Sequence, residues 1–178
     1  VELVCTTDDP IDELISDFGF PQPASEAGIS DTYAGSPKVV PGFRPDRAIL
    51  MEKVGFVPYI GQLAAVSGVE INQFSDLLAA LRNRMDHFAA HGCRISDHGL
   101  EQVFAVDFTE AEADRVFKKR MAGGLVSPME AAVFQSALLY ELSAEYARRG
   151  WVQQFHLGAL RDNNRRLMVL KQPIGVCA

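Results

Sequence analysis

Short apolar runs alternate along this chain with stretches of helical periodicity. Four short apolar runs carry strand signals: Val1–Thr6, Lys38–Phe43, Gly92–Ser96 and Trp151–Leu157. Helical spacing fills the stretches after them. Phe74, Leu77, Leu78, Leu81, Met85 and Phe88 form one stripe that Gly92 should stop, and Ala113, Val116, Phe117 and Met121 form a second. Helix starts are marked as well. Thr109-Glu110-Ala111-Glu112 and Ser127-Pro128-Met129-Glu130 have the spacing of capping boxes. In Asp8-Asp9-Pro10-Ile11-Asp12, Asp9 suits an N-cap, with Pro10 at the first helical position and Asp12 near the positive helix start. Gly19–Pro37, rich in Gly, Pro, Ser and Asp, reads as a long loop. No fixed repeat is visible.

Strand and helix in alternation predict a parallel α/β sheet with right-handed crossovers. At this level two architectures remain open: half of a (β/α)8 barrel, or a small open doubly wound sheet. The first strand begins without a lead-in and is expected to be buried. The tail after Gln172 has no recognisable final element. Both ends therefore read as cut from something longer.

Composition narrows the class. The chain has 178 residues, 48% hydrophobic and 22% charged, enough to bury one sizeable core. No stretch reaches the roughly 20 apolar residues of a membrane span. A net charge of −6 without a basic cluster argues against nucleic acid. The three cysteines, Cys5, Cys93 and Cys177, have no metal-ligand spacing and read as buried thiols in a reducing cytoplasm.

In a barrel the chemistry lies where strands end. Those positions here hold Thr6-Thr7-Asp8-Asp9, Arg44-Pro45-Asp46, Ser96-Asp97-His98, and His156 followed by Arg161, Asn163 and Asn164. Strand alternation puts Val152, Gln154 and His156 on one face, and strands of parallel sheets are normally apolar on both. Two polar groups there need partners, which a site supplies; the plain alternative is a core histidine bonded to a carbonyl. Arg44 offers a guanidinium fork for a carboxylate, or else a surface ion pair with Asp46. Asp8 can accept a hydroxyl or a proton, whereas Asp9 and Asp12 read as helix-start residues. Asp97 is a neighbour able to orient the His98 ring, although adjacent residues often point apart. His87 and His91, one turn apart, lack the glutamate of a zinc-protease helix and read as structural. The Lys118-Lys119-Arg120 and Arg148-Arg149 runs read as solvated helix ends.

Five blocks together carry a resemblance. They are Thr6-Thr7-Asp8-Asp9-Pro10; Phe43-Arg44-Pro45-Asp46; the stretch from Asp86-His87-Phe88 to Ser96-Asp97-His98; Glu145-Tyr146-Ala147-Arg148-Arg149-Gly150-Trp151-Val152; and Gln154-Phe155-His156-Leu157-Gly158-Ala159-Leu160-Arg161. In this order they resemble uronate (glucuronate) isomerases of the amidohydrolase superfamily, up to about residue 170. The resemblance implies a distorted (β/α)8 barrel, of which residues 1–178 would be a single partial domain holding strands three to six, with extra helices in the connections. It implies aldose–ketose isomerisation of D-glucuronate to D-fructuronate and of D-galacturonate to D-tagaturonate, with a divalent metal such as zinc in the full-length enzyme.

The resemblance also implies roles. Arg44, Arg161, Asn163 and Asn164 would bind substrate, while His98, His156 and Asp8 would be catalytic. Two departures stand out. The family's Arg-Asn-Asn-Asn reads Arg161-Asp162-Asn163-Asn164 here, and no His-x-His metal pair exists anywhere in the chain. The expectation is therefore a chain that binds no metal alone and is inactive alone, partnered by a uronate and by remaining barrel segments or another copy of itself. A non-catalytic structural or binding remnant is the alternative.

Overall fold

The computed structural model describes residues 3–14 and 38–158. The predicted loop Gly19–Pro37, together with Arg161, Asn163, Asn164 and Cys177, lies outside those residues.

Four short strands appear where the apolar runs predict them: β1 (Leu3–Cys5), β2 (Lys38–Val40), β3 (Ile95–His98) and β4 (Val152–Phe155). β1 pairs with β2 and β3 with β4, both in parallel. Phe43 joins the two pairs through isolated parallel bridges to Asp8 and Ser96. Its backbone N–H donates to Ile95 O at 3.0 Å, and its carbonyl accepts from Asp97 N at 2.9 Å. The second run is one element in the sequence but breaks after Val40, because Pro41 has no N–H for the ladder. Gly42 then runs so close to β1 that a Cβ there would meet Thr6 O at 2.4 Å.

Between β2 and β3 lie α1 (Asp46–Ile49), α2 (Phe56–Ser67) and α3 (Phe74–Ala90); between β3 and β4 lie α4 (Glu110–Met121) and α5 (Pro128–Arg149). Both predicted capping boxes form, with Thr109 and Ser127 accepting from Glu112 N and Glu130 N. The α3 stripe is buried at every predicted position. The third strand begins later than the apolar run, because His91, Gly92 and Cys93 spend their N–H groups closing the end of α3. Asp9 accepts from Ile11 N as a cap would, yet residues 9–12 form only a turn.

Two aromatic clusters organise the core. Phe43 packs edge-on against Phe88 of α3 at 5.1 Å, and against Tyr146 and Trp151 at 6.3 and 6.0 Å. Farther out, Phe56, Phe74, Phe117 and Phe134 tie α2, α3, α4 and α5 together. Such pairs add to the area they bury.

Three expectations are corrected. The first strand is not buried: Leu3, Val4 and Cys5 are exposed among the described residues, and so the Cys5 thiol is exposed while Cys93 is buried. Burial raises the Cys93 thiol pKa to about 11, so it stays protonated. Arg149 is not a solvated helix end. Its side chain is 13% exposed, bonds Glu145 and Asp86 at 2.7 and 2.6 Å, and lies over Trp151.

Candidate active site

Side-chain alternation along β3 separates two neighbours. Asp97 points to the face that carries Gln154, its register partner on β4, while Ser96 and His98 point toward the helices. The two aspartates and two histidines of the strand tips therefore pair across elements, not along the chain.

Asp97 is the hub. One of its oxygens accepts from His156 Nδ1 at 2.6 Å, and the other is bonded by the Arg44 guanidinium. The tips of β2, β3 and β4 are thus joined through one carboxylate that is only 9% exposed. His156 is half exposed, and its other ring nitrogen lies 3.0 Å from the amide nitrogen of Gln154. The shared face of Gln154 and His156 read from alternation is thus a direct contact. Arg44 is also near Asp46, at 3.9 Å. Its main pairing is with Asp97, a residue absent from the sequence-level choice between a carboxylate fork and an Asp46 pair. Arg44 Nε is buried and has no hydrogen-bond partner.

His98 differs from expectation. It has no exposed surface and stacks on Phe155 at 5.2 Å, with Tyr146 at 5.7 Å on its other side. The carboxylate nearest its ring is Asp46, whose Oδ1 lies 3.6 Å from Nδ1, and both ring nitrogens lack hydrogen-bond partners. Asp46 also accepts from Gly99 N at 2.8 Å, which fixes the chain leaving β3. Asp97 therefore orients His156 and not its neighbour His98, because adjacent strand residues face opposite ways. Beside His98, burial pushes the Tyr146 phenol pKa well above its usual range, so the group remains a neutral hydroxyl.

Asp8 is engaged too. It accepts from Thr6 Oγ1 at 2.6 Å and from Gly42 N at 3.1 Å, latching the end of β1 to the chain that leaves β2. These contacts do not reach the Asp97 group. A cavity of about 560 Å³ adjoins Arg44 and Asp46, between α1, residues 99–102 and the start of α5, but neither Asp97 nor His156 lines it.

Among the described residues no three His, Cys, Asp or Glu side chains are placed to hold a metal ion. His87 and His91 do not form such a site, since His91 Nδ1 lies 2.8 Å from the His87 carbonyl within the helix. The donor set on these strand tips thus does not fit a divalent metal by itself. Asp97 is the functional candidate that sequence reasoning misassigned. Part of the signal was available: alternation turns Asp97 away from His98, whereas its place opposite Gln154 comes from the register of β3 on β4.

Comparison with known proteins adds the family context. A family model described as glucuronate isomerase matches residues 1–175. The uronate isomerase of Flavobacterium johnsoniae is 51% identical over 166 residues, which is 93% of this chain and 33% of that protein. The crystal structure of a uronate isomerase from Thermotoga maritima superposes with a TM-score of 0.80 at 30% identity, covering 95% of this chain and 35% of that one. A glucuronate isomerase structure from Caulobacter crescentus gives 0.74 at 27% identity, over 95% and 33% of the two chains. The chain spans about a third of the length of the relatives it matches.

Proposed function

This chain belongs to the glucuronate isomerase family, and on that premise we propose that it supplies part of the working face of a uronate isomerase. The reaction interconverts D-glucuronate with D-fructuronate, and D-galacturonate with D-tagaturonate, by moving a proton between C2 and C1 through an enediol. The four parallel strands are then an arc of a (β/α)8 barrel in a cytoplasmic enzyme. The exposed Leu3 and Val152 on the two outer strands fit continuation by further strands.

The carrying observation is the convergence of Arg44, Asp97 and His156 at adjacent strand tips. Asp97 holds the guanidinium and the imidazole in a fixed relation. Arg44 binds the sugar carboxylate through donors that Asp97 does not use, and Arg161, Asn163 and Asn164 contribute further polar contacts. His156 moves the proton, since its ring is oriented by Asp97 and half exposed on the open face. Asp8 and buried His98 act as supports. The family implies a divalent metal, zinc in the first instance; the described residues do not by themselves fit it.

The test is a chimera in which this chain replaces the matching third of the Flavobacterium relative. With zinc or manganese supplied, it should turn over D-glucuronate or D-galacturonate, whereas the 178-residue chain alone should not. A folded chimera inactive on both sugars would sink the reading. Turnover by the isolated chain would show that the site is already complete.

A further inference from the structure

Gln154 and His156 share one face of β4, and the Gln154 amide nitrogen is 3.0 Å from His156 Nε2. The opposite ring nitrogen, Nδ1, is 2.6 Å from Asp97 Oδ1. An ionised carboxylate only accepts, so Nδ1 carries a hydrogen. In the neutral ring this leaves Nε2 as a bare lone pair, and the Gln154 NH2 group is a donor placed against it. A primary amide also carries an acceptor. A half-turn of the Gln154 amide brings its oxygen to the same place.

We infer that Gln154 is a positioning residue that keeps a hydrogen bond on His156 Nε2 in both protonation states. Its N–H donates to the neutral ring, and its oxygen accepts from the imidazolium. Asp97 fixes which tautomer exists; Gln154 follows the proton. The role rests on the reading of His156 as the group that moves the proton in the isomerisation. When Nε2 takes a proton, the new positive charge faces the Asp97 carboxylate, itself shared with Arg44, and the amide turns. When the proton is returned, the amide turns back. A carboxylate at position 154 would favour only the cation, and an apolar side chain would favour neither state.

Histidine-ring nitrogen NMR on the 15N-labelled 178-residue chain tests this directly, with the signal assigned by its loss in His156→Gln. The neutral ring of His156 should be protonated on Nδ1. Gln154→Glu should raise the His156 titration midpoint by roughly one pH unit, and Gln154→Leu, which removes a partner from both states, should leave it nearly unchanged. Unchanged His87 and His91 signals would show that both variants fold. A neutral ring protonated on Nε2, or a Gln154→Leu midpoint that moves as far as the Gln154→Glu one, would overturn the inference. The outcome is independent of activity: an inactive chimera alongside these NMR results would defeat the isomerase reading and leave the Gln154–His156 pairing standing.

Discussion

The guanidinium of Arg44 and the carboxylate of Asp97 are 53 residues apart in sequence and bonded in space, across the tips of β2 and β3. His156 holds the other oxygen of that carboxylate from β4. One acid therefore ties together two side chains that come from different strand ends.

Removing that acid should cost more than removing either of its partners' neighbours. In the chimera, Asp97→Ala should lower kcat by roughly 10²–10⁴, the range for a positioned acid–base group. Asp8→Ala, which releases only the Thr6 and Gly42 contacts, should have a much smaller effect on kcat. Steady-state kinetics of the two variants, side by side, check the ranking.

Arg44→Lys keeps the charge but removes the planar fork. KM for the uronate should rise, and kcat should fall too, because the ammonium cannot hold Asp97 in the same geometry. An unchanged KM would show that Arg44 serves Asp97 alone.

Gly42→Ala should destabilise the fold by roughly 1–3 kcal/mol, the usual cost of forced overpacking. The added methyl would meet the Thr6 carbonyl at 2.4 Å, and backbone cannot swing aside as a side chain can. Urea denaturation of the purified chain measures it.

Phe43→Ala should cost about 3–5 kcal/mol. Phe43 is fully buried and touches aromatic rings from α3, α5 and the start of β4. Phe43→Leu should recover much of the loss, because it refills most of the cavity. The same denaturation assay separates the two.

Stability should fall as pH drops through about 6.5, the ordinary histidine value. Burial first, then the Arg84 and His91 charges, hold the His87 pKa below that value. The unfolded chain then binds a proton that the folded chain does not, so folding weakens as pH falls. The urea midpoint should be lower at pH 5.5 than at pH 7.5, and His87→Gln should reduce the difference.

Much of this architecture is legible in the residues. The α3 stripe from Phe74 to Phe88 and the capping boxes at Thr109 and Ser127 depend on contacts within four residues, so pattern alone finds them. α1 and α2 carry weaker marks: neither N-cap, Pro45 or Gly55, bonds its helix through a side chain. Strand ends are harder, since Pro41 and the exit from α3 shift them by local hydrogen bonding that apolar character does not report.

Local sequence determined the places of the four strands and of α3, α4 and α5, where α4 and α5 start, and which face of β4 carries Gln154 and His156. It did not determine which carboxylate serves which histidine. Only the parallel register of β3 on β4, and the placing of Phe43 between Asp8 and Ser96, decided that Asp97 meets Arg44 and His156 while Asp46 faces buried His98. The physical reason is reach: periodicity describes neighbours along the chain, whereas these pairs lie more than fifty residues apart and are brought together by backbone bonds between strands.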